Sequence, residues 1–225
     1  MESFEHMKLN IAKGSLWLCY SLINSKLSNY LIPPHLEIAK VSPIEGIKAQ
    51  EMLLFNAYHI HSSPWMDGAR LDIQTFARDK NTGTAHLVVL DVLTNTKNWD
   101  PINGLNSANC EVTFKKTPGI DIQFRGKENI FCVKGTPDRR KNIDHTFCVE
   151  ANKKCYFGRF KRGYSMNFEE KNIMNPVTEL KNLEIENTCW TDITGNLICA
   201  FRHNTEMQFD IQMNPWIEAN KILSW

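Results

Sequence analysis

The sequence predicts a mainly β protein, a single closed or nearly closed β-barrel with two short helices, spanning residues 1–225 as one domain. Three observations carry this. Short apolar runs, several alternating with period two, recur along the chain. Clusters rich in Gly, Pro, Asn and Asp separate them. No linker or internal repeat interrupts the pattern. A chain of 225 residues is long for one domain but within the range of one barrel or sandwich. At that size it buries roughly 70% of the surface its unfolded form exposes. With 42% hydrophobic and 23% charged residues, wholesale disorder is excluded.

The elements follow in order. Residues 24–31 put Leu27 and Leu31 four apart on one helical face, and Pro33-Pro34 stops that helix. Residues 52–58 read as a buried strand. Leu71, Ile73, Thr75 and Ala77 then alternate with Asp72, Gln74 and Phe76 as a second. Residues 79–84 are polar and contain Gly83, a hairpin loop leading into 85–93, the most strand-like run of all. Runs at 110–114, 120–124 and 130–133 are each bounded by Gly, Pro or Asn, and 146–150 and 156–160 follow. Asn175-Pro176 opens the second helix, through residue 180, with Asn175 as its N-cap. Residues 183–190 and 197–202 flank a turn at 192–196, and 208–212 form a last strand. About ten strands without a linker favour a sheet curled or closed on itself.

Charge and cysteine usage bound the partners. The 26 cationic and 25 anionic side chains are spread along the chain without a block of five like charges. The densest basic stretch, Asp138-Arg139-Arg140-Lys141, reads as a solvated loop. No nucleic-acid partner is expected. Seven cysteines, an odd number with no C-x-x-C spacing, do not form a secreted disulfide framework or a zinc site. Free thiols in the cytoplasm are the expectation. The start carries acid where a signal peptide needs base, and the apolar stretch 16–20 is too short for a membrane span. The expected partner is a small molecule; a homo-oligomer is allowed.

Several residues could carry chemistry. His59 and His61 lie on the same face of a strand, and two imidazoles so placed can ligate a metal or shuttle protons. A metal needs a third ligand, for which Asp67, Asp72 and His86 are the nearest candidates; no metal or other cofactor is assigned. Cys110 reads as a buried thiol rather than a nucleophile. Trp190 and Phe201 flank the 192–196 turn as a packed pair, and Arg202 beyond them could anchor a carboxylate. Walker A, dinucleotide-binding, serine-hydrolase and H-E-x-x-H phrases are absent.

The order of elements resembles the acetoacetate decarboxylase-like superfamily. The resemblance rests on Leu31-Ile32-Pro33-Pro34-His35-Leu36-Glu37, on strands at 53–61, 70–78 and 86–92, and on an irregular segment at 99–109 before the strand 110–114. It implies a β-barrel around a small-molecule pocket, with Arg70, Asn106 and Asn109 lining its polar part. It also implies a Schiff-base lysine in a G-x-P-K-K phrase. The matching residues here, Gly104 to Asn109, contain no lysine, and Lys115-Lys116 falls a strand later. Arg70 stands about where the family places an acidic residue. Two functions remain. One is an enzyme of lyase, isomerase or cyclase type, acting without a Schiff base on a keto, acyl or carboxylate compound. The other is a non-catalytic binding protein for an apolar carboxylate. The catalytic residues are unknown at this stage.

Overall fold

The computed structural model describes residues 7–23, 32–61, 68–95, 108–115, 119–142, 154–157, 162–170 and 177–217. Within 7–9, 108–109, 154–157, 162–170 and 209–217 it describes the backbone only. The strands are β1 (Met7–Ile11), β2 (Leu16–Leu22), β3 (Leu36–Ile38), β4 (Met52–His61), β5 (Gly68–Asp79), β6 (Ala85–Thr94), β7 (Ala108–Asn109) and β8 (Glu111–Lys115). Then come β9 (Ile120–Arg125), β10 (Ile130–Lys141), β11 (Lys154–Phe157), β12 (Arg162–Glu170), β13 (Val177–Asn187), β14 (Thr194–His203) and β15 (Met207–Ile217). All belong to one sheet, in the order β3-β5-β6-β11-β12-β15-β1-β4-β2-β14-β13-β10-β9-β8, with β7 beside β6. Pairing is antiparallel except where β6 meets β7 and β11.

Strand chemistry explains the strongest elements. The β4–β5–β6 meander is rich in Leu, Val, Ile and Phe, which fit a pleated surface buried on both sides. Its tight turn after β5 is held by Asp79, whose Oδ1 accepts from the backbone N–H groups of Asn81 and Thr82, both at 2.8 Å. Gly83, at φ 71°, supplies the left-handed position that closes it.

Two parts of the predicted architecture are corrected. The described residues contain no helix, and so none long and apolar enough to cross a membrane. Residues 177–180 belong to β13, bonded on one edge to β10 (Lys141↔Val177, Pro137↔Leu180) and on the other to β14 (Val177↔His203). The Asn-Pro phrase serves a strand start as well as a helix start, and hydrogen bonding on both edges outweighs the local preference. The other predicted helix, 24–31, lies outside the described residues, as does the predicted strand at 146–150.

The sheet is also not closed. β4 joins β5 on one edge and divides its other edge between β2 (residues 52–57) and β1 (residues 60–61), so the sheet branches there. The β4–β5 contact curls the sheet, but its path ends at β3 on one side and at β8 on the other. The three-residue β3 and the β8–β9 hairpin extend the sheet outward. Among the described residues the sheet has fifteen strands against the ten or so expected: β1, β3 and β12 lack a strong apolar alternation in sequence, β7 is two residues long, and β2 takes up the apolar stretch that begins at Leu16.

Successive side chains of a strand face opposite ways, and the curled sheet packs a core on each side. The first core gathers Ile11, Trp17, Cys19, Leu54, Ile60, Phe76, Val92, Phe201 and Met207. The second gathers Leu18, Phe55, Leu71, Ile73, Leu90, Ile122, Phe124 and Phe131, with Phe55 stacked on Phe131 at 5.5 Å and 4°.

Candidate functional site

The β5 sequence Gly-Ala-Arg-Leu-Asp-Ile-Gln-Thr-Phe alternates two chemistries. Leu71 and Ile73 enter the second core. Arg70, Asp72 and Gln74 face the other way, in the company of Phe76 and the first core. Antiparallel register with β4 sets Tyr58 opposite Arg70, Asn56 opposite Asp72 and Leu54 opposite Gln74. Tyr58, Asn56, Arg70, Asp72 and Gln74 therefore share one patch of the first-core face.

Asp72 organises the patch. Its Oδ1 accepts from Arg70 Nε at 2.6 Å. Its Oδ2 accepts from Tyr58 Oη at 2.8 Å and from Gln74 Nε2 at 3.3 Å. Asp72 and Gln74 are each 4% exposed and Arg70 9%. Burying a carboxylate costs less when a cation and donors replace the lost hydration, and Arg70, Tyr58 and Gln74 supply them. Two acceptors on the same patch have no hydrogen-bond partner among the described residues: Gln74 Oε1 and Asn56 Oδ1, both buried. Leaving such a group unsatisfied costs about 1–3 kcal/mol each.

The patch lies in a row that crosses five strands: Phe201 (β14), Trp17 (β2), Asn56 (β4), Asp72 (β5) and Val92 (β6). Trp17 walls one side, its ring 5.4 Å from Phe201 and 5.3 Å from His203. The adjacent row runs Tyr58, Arg70, Thr94 and the backbone of Asn109. Thr94 Oγ1 donates to the Ala69 carbonyl at 2.9 Å, tying β6 to β5 beside Arg70.

Among the described residues, those singled out from sequence are divided between the two faces of the sheet. Arg70 is in the patch, and Asn109 joins its row through backbone pairing with Thr94. Asn106, like Asp67, lies outside the described residues. His59 pairs with Ala69 and so faces the second core, where its ring is 6.3 Å from Phe114. His61 shares that face, with Nε2 3.9 Å from Glu206 Oε1. Both imidazoles are thus across the sheet from Asp72, and no three metal-ligating side chains converge among the described residues. Arg202 pairs with Leu16 and Thr178, also on the face away from Arg70. Trp190 and Phe201 are not a packed pair. Trp190, at φ 54°, donates Nε1–H to Asp91 Oδ2 at 2.9 Å beside the second core, whereas Phe201 belongs to the first.

Burial pushes the Cys110 thiol up to about 11 and the Cys189 thiol to about 12, so neither is a thiolate nucleophile near neutral pH. Lys115 is exposed at the end of β8, on the outermost strand of the path. Every lysine whose side chain is described is exposed, apart from the half-buried Lys141. Lys141 Nζ donates to the Glu45 carbonyl at 3.4 Å.

Tyr58, Gln74 and Asn56 were not singled out from sequence, and Asp72 only as a metal ligand. The signal was available: Arg-x-Asp-x-Gln puts three polar side chains on one face of a strand whose other face is apolar.

The fold itself has relatives. No family model and no curated protein matches the sequence. Among solved structures, the chain resembles the acetoacetate decarboxylase of Legionella pneumophila, with a TM-score of 0.64 at 10% identity over 93% of this chain and 88% of that one. An acetoacetate decarboxylase-like enzyme from Sphingomonas wittichii matches at 0.62 and 10% identity, over 95% and 94%. The enduracididine biosynthesis enzyme MppR matches at 0.59 and 9% identity, over 98% and 90%. MppR has also been solved with pyruvate bound. The chain thus has the acetoacetate decarboxylase-like fold.

Proposed function

We infer that this protein is a small-molecule enzyme of lyase, isomerase or cyclase type, acting on a keto or acyl compound without a Schiff base. The observation that supports this most is the buried Tyr58–Asp72–Arg70 constellation on the first-core face. Its chemistry suits proton abstraction next to a carbonyl. Asp72 takes the proton, the C–H electrons become the carbon–carbon double bond, and the carbonyl electrons move onto oxygen. The Arg70 N–H groups not given to Asp72 can stabilise the enolate that results. Returning the proton to another carbon completes an isomerisation; expelling a group from the neighbouring carbon completes a lyase step. The exposed position of Lys115 and the lack of a lysine in residues 104–109 support leaving out an imine. The odd cysteine count, with Cys19, Cys110, Cys132, Cys189 and Cys199 unbridged, supports a reducing compartment such as the cytoplasm.

One observation favours a non-catalytic binding protein instead: both Asp72 oxygens already accept hydrogen bonds. Proton exchange separates the two. Acetone, pyruvate and acetoacetate are incubated with protein in deuterated buffer, and loss of their α-proton signals is followed by NMR. Exchange by the wild type that disappears in Asp72→Asn is the expected result. Binding without exchange would establish the carrier. Borohydride added to the acetoacetate sample is expected to leave the protein mass unchanged.

A further inference from the structure

The patch around Asp72 is built to receive more than a carbonyl group. Gln74 is 96% buried by the complement of its 4% exposure. Its Nε2 donates to Asp72 Oδ2 at 3.3 Å, which fixes the amide's orientation and turns Oε1 away as a pure acceptor. That oxygen has no hydrogen-bond partner among the described residues, and neither does Asn56 Oδ1. Both belong to the Asp72 patch: Asn56 stands directly opposite Asp72, and Gln74 two residues along the same strand face. The carboxylate is saturated with donors while the two neutral carbonyls beside it lack them. What is missing at this spot is hydrogen-bond donors.

Charge narrows what can supply them. Among the described residues the patch holds one cation and one anion, 2.6 Å apart, and they cancel. A buried ammonium would find no surplus negative charge to neutralise it, and a buried carboxylate no surplus positive charge. An uncharged O–H fits: it donates to an amide oxygen at no ionic cost, and its own oxygen can accept from an Arg70 N–H.

We propose that the part of the ligand seated on this patch is an uncharged hydroxy-carbonyl group, with Gln74 and Asn56 as the residues that select its hydroxyl. This rests on reading the patch as the ligand site. Gln74 and Asn56 are specificity residues on this view, while Asp72 serves the carbon next to the carbonyl and Arg70 the carbonyl oxygen. The hydroxyl satisfies one of the two amide oxygens and an analogue without it satisfies neither, so discrimination comes from a penalty on the wrong compound as much as from a gain on the right one.

Three small probes test it: acetone, hydroxyacetone and pyruvate, titrated at millimolar concentrations into isotope-labelled protein, with amide shifts of β4 and β5 followed by NMR. The wild-type protein is expected to bind hydroxyacetone about tenfold more tightly than acetone, the worth of one to two net hydrogen bonds. It is also expected to bind hydroxyacetone more tightly than pyruvate. Gln74→Met, close in volume but without the acceptor, is expected to bring hydroxyacetone to within about twofold of acetone. The wild-type comparison needs no variant and stands if Gln74→Met fails to fold. Equal binding of acetone and hydroxyacetone, or preference for pyruvate, overturns the hydroxyl selection and leaves the proposed carbonyl site intact. If none of the three moves the β4 and β5 signals, the site reading falls, and this inference with it.

Discussion

On one side of the β4–β5 pair, Leu53, Phe55, Ala57, Leu71 and Ile73 pack into the second core; on the other, Asn56, Tyr58, Arg70, Asp72 and Gln74 form the polar patch. Both sets come from the same two strands and alternate residue by residue. Both are largely buried, yet one side makes stability from apolar area and the other accepts a desolvated ion pair and two unsatisfied amide oxygens. A sheet that only needed packing could have used Leu and Val on both sides, since replacing a buried ion pair by apolar residues is often neutral or stabilising. The difference is that the first-core side keeps hydrogen-bonding groups where apolar side chains would also pack.

Four experiments sharpen or break that contrast. The largest effects come from one truncation on each side. Phe55→Ala removes a ring stacked on Phe131 and is expected to cost about 3–5 kcal/mol in urea unfolding. Asp72→Leu removes the carboxylate that Arg70 and Tyr58 donate to and is expected to cost a similar amount, about 3–5 kcal/mol. The double variant Arg70→Met/Asp72→Leu then separates the sides, because it should recover most of that loss. If the double variant is as unstable as Asp72→Leu, the ion pair is structural and the contrast fails. Next in size, Tyr58→Phe deletes one hydrogen bond to a carboxylate and should cost about 1.5–3 kcal/mol.

The thiols test burial on the second-core side through pH. Cys189 and Cys110 have their thiols raised by burial, from the ordinary 9.0 to about 12 and about 11. A raised thiol favours the neutral form in the folded state. Its contribution is therefore complete below 9 and is lost as pH rises toward 11–12, where the unfolded chain ionises first. Stability measured from pH 8 to 10.5 should fall, and Cys110→Ala/Cys189→Ala should flatten that fall. An unchanged slope would show that these thiols are not shielded. The smallest effect belongs to the surface turn. Asp79 has its carboxyl lowered, chiefly by the Thr82 backbone N–H, so it stabilises above its ordinary value of 3.8 and loses that contribution as pH falls through the lowered one. Asp79→Ala should cost about 1 kcal/mol or less at pH 7 and nothing at pH 2, as an exposed turn outside both cores requires.

The strands with strong apolar runs or alternation were legible without coordinates. Residues 52–58, 85–93 and 120–124 are β4, β6 and β9 within a few positions, because the continuous apolar runs of β4 and β6 suit a strand buried on both sides and the alternation of β9 a strand buried on one. The residues at 177–180 were not, because Asn-Pro-Val-Thr is locally ambiguous and the decision came from β10 and β14 bonding both edges. The same division holds at the candidate site. Sequence singled out Arg70 through the resemblance, and put His59 and His61 together on one strand face. It could not say which face points to which core, since that is a property of how fifteen strands curl. Tertiary structure turned both histidines and Arg202 away from Arg70, and brought Tyr58 from β4 onto Asp72 from β5, fourteen residues apart in the chain. Sequence determined where strands form only where a run is strongly apolar or alternating; partnership between polar side chains depends on register between strands, which hydrogen bonding across the assembled sheet alone decides.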